Sequence, residues 1–174
     1  MVEWKKLGDV CEIKTGKGIT QKDCTDDGVY PVISGGQSPM GMFKQYNRDA
    51  NTVTISRVGA YAGYVSFIEK RFYLNDKCFS IIPFHNQTIQ SRFLYLVLKS
   101  QEERIKQLQS EGGVPTINTQ KLAKLQIPIP SLSEQTRIVG ILDTFEASIA
   151  NLEAQLKERE KQYEYYRNKL LTFE

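Results

Sequence analysis

Histidine is nearly absent from this chain. His85 is the single one in 174 residues. It follows Pro83 and precedes Asn86 with no evident partner, so a histidine-centred acid–base site is not expected. Cysteine is scarce as well. Cys11, Cys24 and Cys78 are odd in number and widely spaced, which speaks against a disulfide framework and gives no zinc-ligand spacing. Buried reduced thiols are the expected state. Long apolar runs are missing: a stretch such as Phe93–Leu98 is far too short to span a bilayer. The opening Met-Val-Glu-Trp-Lys-Lys is charged and lacks the apolar core of a secretion signal. A cytoplasmic protein without membrane contact is expected. No P-loop pattern occurs. No Pro-Pro pair occurs, which removes the Asn/Asp-Pro-Pro-aromatic motif of amino-methyltransferases. Gly16-Lys-Gly18 lacks the third glycine of a dinucleotide site. Asp26-Asp27-Gly28 lacks the further ligands of a calcium loop. Glu69-Lys70 and Asp76-Lys77 read as solvated turn residues between strands. No catalytic residue and no metal site is expected.

What the sequence does have is a seam. Ile138, Leu142, Phe145, Ile149, Leu152, Leu156, Tyr163, Tyr166, Leu170 and Phe173 recur in steps of four and three, with Arg159 the one polar member. This heptad repeat predicts a coiled-coil helix. At roughly 1.5 Å per residue, a helix from Gln135 to Phe173 spans about 58 Å. A helix of that length with an apolar stripe needs a second helix to cover it, and no other segment of this chain is long enough. Self-association through this seam is expected. Arg159 would act there as a polar residue fixing register.

The composition, 40% hydrophobic and 25% charged, is that of a globular domain plus an extension. Residues 1–130 carry 17 basic and 12 acidic side chains, a net +5, whereas residues 131–174 carry 6 and 8, a net −2. The basic part suits a polyanionic partner. Strands are predicted at Val10–Ile13, Tyr30–Ser34, Thr52–Arg57, Tyr64–Ile68, Phe72–Leu74, Cys78–Ile82 and Leu125–Ile129. In Thr52–Arg57, Val53 and Ile55 would share one face and Thr52, Thr54 and Ser56 the other. Helices are predicted from near Gln90 to Gln109, ended by Gly112-Gly113, and at Thr119–Lys124. Ser131 and Ser133 are both candidate N-caps for the long helix, and Ser131 with Glu134 has capping-box spacing. The fold class is α+β: a β-rich globular domain over 1–130, then a long helix over 131–174.

Three stretches have the chemistry of a nucleic-acid surface. The first is Lys14-Thr-Gly-Lys-Gly-Ile-Thr-Gln-Lys22, where lysines and glycine amides suit phosphates. The second is Ser34-Gly-Gly-Gln-Ser38, continuing to Lys44-Gln-Tyr-Asn-Arg48, whose polar side chains can read base edges. The third is Ser56-Arg-Val-Gly-Ala-Tyr-Ala-Gly63, an arginine at a strand end followed by small residues. Candidate DNA contacts are therefore Lys14, Lys17, Lys22, Ser34, Gly35, Gly36, Gln37, Ser38, Lys44, Tyr46, Asn47, Arg57 and Tyr61. Thr116, in the loop Gly113–Asn118, joins them.

The order of segments resembles the specificity subunit of type I restriction–modification systems. The resemblance rests on Trp4-Lys-Lys-Leu-Gly-Asp-Val-Cys-Glu-Ile13, Tyr30-Pro-Val-Ile-Ser-Gly-Gly36, Ile55-Ser-Arg-Val-Gly-Ala-Tyr-Ala-Gly63, Tyr73-Leu-Asn-Asp-Lys-Cys-Phe-Ser80, Gly113-Val-Pro-Thr-Ile-Asn118 and Ile127-Pro-Ile-Pro-Ser-Leu-Ser-Glu-Gln135. It covers nearly the whole chain. It implies a non-catalytic target-recognition domain reading half of a bipartite double-stranded DNA sequence, and a spacer helix that docks modification (methyltransferase) subunits. S-adenosylmethionine would belong to those partners, and ATP and Mg to partner subunits that include a restriction (motor-nuclease) subunit; this chain would bind no cofactor of its own. A full specificity subunit has two such domains and two helices, whereas this chain has one of each. It is either a natural half-subunit or half of a longer protein. An antiparallel homodimer would then read a bipartite palindrome, with half-sites separated by at most about 17 base pairs of roughly 3.4 Å each. The other reading of the same residues is a coiled-coil interaction module whose β-rich domain binds protein.

Overall fold

A computed structural model describes residues 2–85, 87–110 and 113–173. Two compact units emerge, one running through Thr136 and the other from Arg137 onward.

The first unit is built on three small sheets. The central one is antiparallel, in the order β2 (Cys11–Thr15), β8 (Cys78–Pro83), β5 (Thr52–Ser56), β6 (Val65–Ile68). Strand β5 alternates as its sequence predicts, but both of its faces are covered. Val53 and Ile55 are fully buried, and so are Thr52, Thr54 and Ser56. Short hydroxyl side chains tolerate this because they can satisfy themselves locally: the Thr52 hydroxyl donates to the Asp49 carbonyl at 2.8 Å. A second sheet sets β3 (Tyr30–Ile33) between β4 (Met42–Phe43), antiparallel, and β7 (Tyr73–Leu74), parallel. The third is a two-stranded ribbon. In it β1 (Glu3–Lys6) pairs with β9 (Gln126–Ile129), Glu3 opposite Ile129. Pro128 fits there because a two-stranded ribbon leaves one side of each strand unpaired.

Several elements differ from the sequence reading. Leu7–Val10 is a single helical turn, α1, so the strand predicted at Val10 begins at Cys11. The reason is packing: Leu7 and Val10 are both buried, and such spacing suits a helical turn better than a pleat. The helix expected from Gln90 to Gln109 is two helices, α2 (Ser91–Ser100) and α3 (Glu102–Lys106). The backbone leaves the helical region at Gln101, φ −101° and ψ 12°. The break lets Glu102 accept the N–H of Val65 at 3.0 Å, covering the start of β6. Burial raises the Glu102 carboxyl, but hydrogen bonds from Lys99, the Val65 N–H and Lys106 outweigh it and hold it below its ordinary value. Gly112, the expected helix stop, lies outside the described residues. A short helix, α4 (Thr119–Ala123), is capped by Asn118, whose side chain accepts from Gln120 N–H and Lys121 N–H. Cys11 and Cys78 are buried, whereas Cys24 is only half-buried. Burial pushes the Cys11 thiol up to about 12.

The long helix, α5, runs Leu132–Leu171, 40 residues or about 60 Å. Ser131 receives the Glu134 N–H at 3.4 Å on its hydroxyl and the Gln135 N–H at 2.9 Å on its carbonyl. The first helical turn belongs to the globular unit, because Gln135 is fully buried in it. In the unit from Arg137 onward, Leu142, Phe145, Ile149, Leu152, Leu156, Tyr163, Tyr166 and Leu170 are all exposed, and Ile138 is half-buried. Phe173 corrects the seam: the helix ends at Leu171, so Phe173 is not a helical position. Arg159 donates to Gln162 at 3.0 Å, along its own helix. Among the described residues no helix is long and apolar enough to cross a membrane.

Candidate nucleic-acid interface

Two of the three expected stretches, and part of the other, meet at the turn Asn75–Cys78, between β7 and β8. Asn75 is buried, and its backbone N–H reaches the Ile33 carbonyl at 2.9 Å, while its side-chain amide donates to the Ile19 carbonyl at 2.8 Å. The turn itself closes through Cys78 N–H to the Asn75 carbonyl at 3.2 Å.

Each stretch then docks on that turn. From the first, Gly16 N–H donates to the Cys78 carbonyl at 3.3 Å and Lys17 N–H to the Leu74 carbonyl at 3.0 Å. Only glycine fits at position 16, since a Cβ there would lie 2.1 Å from the Leu74 carbonyl oxygen. From the second, Gly35 N–H donates to the Cys78 sulfur at 3.1 Å. Gly35 has φ +34°, which favours a residue without a Cβ. From the third, Arg57 N–H donates to the Lys77 carbonyl at 2.8 Å, and one Nη of Arg57 donates to the Asp76 carbonyl at 3.1 Å. The Arg57 carbonyl accepts from Ile117 N–H at 2.8 Å, and Gly59 N–H reaches the Pro115 carbonyl at 3.0 Å. Val58 bridges Thr116. Thus Lys17, Ser34, Gly35, Arg57 and Thr116 sit on elements tied to one turn. Tyr61 lies on the short loop after Gly59, half-exposed.

The other expected contacts are placed differently. Lys22 is on the single 3-10 turn Gln21–Asp23. Next to it, hydrogen bonds from the Thr20 N–H and hydroxyl hold the Asp23 carboxyl below its usual range. Gln37 and Ser38 are exposed on the bend after β3, and Gly36 is half-exposed there. Lys14 is on β2 and paired with Glu12 at 3.1 Å. Lys44 pairs with Asp27 at 2.9 Å. Tyr46 packs against Tyr30, ring centroids 5.0 Å apart, with the Arg71 guanidinium 4.8 Å from its own ring centre. Asn47 is structural: its side chain accepts the Leu74 N–H at 2.7 Å and donates to the Leu74 carbonyl at 3.0 Å, pinning β7. Neighbouring Arg48 is structural too, donating to the Ser80 hydroxyl and to the carbonyls of Asn47 and Thr15.

The sequence makes Asp76 and Lys77 solvated turn residues, and in the structure both are exposed in the turn. The structure puts them at the centre of the converging loops, exposed, on a backbone held from several sides. Their signal was the segment Tyr73–Ser80 itself, whose strand–turn–strand character is legible but whose neighbours are not.

The sequence matches the family of the type I restriction modification DNA specificity domain over residues 1–161. A putative type I specificity subunit of Mycoplasma pneumoniae is 29% identical over 171 residues, covering 98% of this chain and 45% of its own length. Another from the same organism is 45% identical over 169 residues, covering 92% of this chain and 66% of its own. The crystal structure of a type I restriction–modification system S subunit from M. genitalium superposes with a TM-score of 0.80 at 25% identity. It covers 99% of this chain and 46% of that one. The chain thus spans about half the length of several of the curated relatives it resembles. With its β-rich domain and long C-terminal helix, this chain belongs to the family of type I restriction–modification DNA specificity domains.

Proposed function

We propose that this chain reads one half of a bipartite double-stranded DNA target for a type I restriction–modification complex. The observation that carries this reading is the convergence on the Asn75–Cys78 turn. Lysine, arginine and small polar side chains from separate loops are gathered on one support, as sequence readout requires. The domain is basic, which favours a polyanion.

The second part of the proposal concerns α5. Its seam from Leu142 to Leu170 is exposed, and an apolar stripe of that length is covered in a stable assembly. Pairing with the same helix of a second copy, antiparallel, would cover it and give a two-fold particle. Methyltransferase subunits would dock along the paired helices, and a restriction subunit would join them. The chain itself is non-catalytic in this scheme, and S-adenosylmethionine, ATP and Mg are handled by the partners.

The test is the methylome of a host with and without this chain. The expected result is a palindromic bipartite methylated motif that disappears on deletion. A methylome unchanged by deletion refutes the proposal, and an asymmetric motif refutes the homodimer.

A further inference from the structure

The turn that gathers the loops ends in two functional groups that the fold does not use. Arg57 binds the Asp76 and Lys77 carbonyls, leaving the side chains free of that network. Among the described residues, neither the Asp76 carboxylate nor the Lys77 ammonium has a hydrogen bond or an ion pair. The Asp76 carboxylate lies over Gly18, where a Cβ would be 3.3 Å from Oδ2. With Gly18, Gln21, Asp23, Met40 and Lys77 it lines a cleft of about 570 Å³. Lys77 lines the same cleft, and its Cβ lies 3.6 Å from where a Cβ on Gly35 would be. The Asp76 carboxylate therefore lies against the first loop and the Lys77 stem starts beside the second, on a backbone clamped by Arg57.

We infer that Asp76 is a specificity-determining residue that reads a cytosine amino group, and that Lys77 holds an adjacent phosphate. This rests on the DNA-reading function proposed above. A carboxylate is repelled by phosphates, so at a surface that meets DNA it must face a hydrogen-bond donor. The major groove offers two, cytosine N4 and adenine N6. Adenine sets its N7 acceptor beside N6, which suits an amide and opposes a carboxylate. Cytosine presents its amino group without that acceptor, so the carboxylate selects it. Lysine has three donors and no acceptor, and it suits a phosphate without selecting a base.

The experiment replaces the gene in its host with Asp76→Asn, Asp76→Glu or Lys77→Gln, and maps the methylated motif against wild type and deletion. Asp76→Asn keeps the size but gains a donor, so one cytosine in each half-site should yield to adenine. The cytosine-over-adenine preference in methylation rate should fall roughly 5- to 150-fold, the range of a single base contact. Lys77→Gln should keep the motif and slow its methylation. An unchanged motif and preference in Asp76→Asn overturns the inference alone. Loss of every motif in both Asp76→Asn and Asp76→Glu makes the residue structural and also overturns it. A motif altered by Lys77→Gln overturns the division of roles. If deletion of the chain removes no motif, the proposed function falls and this inference with it.

Discussion

Gln135 accepts the backbone N–H of Gln90 through Oε1 at 2.9 Å, and its amide nitrogen donates to the carbonyls of Thr88 and Pro130, each at 3.0 Å. A glutamine with no solvent exposure is tolerable only because its amide is satisfied this way. Three backbone groups depend on one side chain. Gln135→Leu fills the space but strands all three, and should destabilise the globular unit by about 1–3 kcal/mol. Urea denaturation of the full chain checks this; a loss below about 0.5 kcal/mol, the level of an ordinary surface change, would show that water replaces the amide.

Glu102 gives a pH-dependent contribution with a definite sign. Its carboxyl is held below its ordinary value in the folded chain. A depressed carboxylate contributes stability above the unfolded carboxylate range and loses it as pH falls through the folded value. Glu102→Gln should therefore melt below wild type at neutral pH, with the gap closing in acid. Melting curves across that range decide it, and an offset independent of pH would count against the ionic contribution.

Arg57 offers a sharper separation of roles. One of its guanidinium nitrogens is engaged with the Asp76 carbonyl, and Arg57 presents further donors. Arg57→Ala should weaken cognate binding by ~1–3 kcal/mol if it reads a guanine. Titration of cognate and random duplexes distinguishes the outcomes. An equal loss on both makes it a phosphate or structural residue, and no loss removes it from the interface.

Arg159 occupies a seam position where leucine would pack better. Among the described residues it reaches along its own helix, to Gln162. Arg159→Leu should tighten self-association in sedimentation equilibrium while allowing parallel as well as antiparallel crosslinks. Crosslinks that stay purely antiparallel would separate Arg159 from orientation control.

The salt dependence of DNA affinity separates the two readings of the basic domain. Each phosphate neutralised lowers log K against log salt by about 0.9. A steep fall is expected, and a flat response would favour protein binding.

Local patterns were legible in the sequence. The seam of α5, the alternation in β5 and the cap at Ser131 depend on neighbours within a few residues, so spacing alone exposes them. Phe173 was misplaced because a helix end frays without changing the pattern that precedes it. Asn47 was read as a base contact because its partner, Leu74, is 27 residues away. Arg48 reaches Ser80 and Thr15, 32 and 33 residues off. Asp76 and Lys77 are the exposed turn residues that the sequence suggests, but the loops that fold onto that turn come from too far along the chain to be read locally. Nothing local to Gln135 shows that Gln90 lies beside it.

The ribbon of β1 and β9 fastens together the two ends of the globular unit, with Glu3 across from Ile129. Paired strands lie about 4.8 Å apart. Everything between those clasped ends, including every loop that meets the Asn75–Cys78 turn, is a closed excursion of the chain. Such a block can be exchanged for another of different length with both junctions left where they were. The clasp thereby fixes where the chain leaves the globular unit, whatever the length of the loops in between.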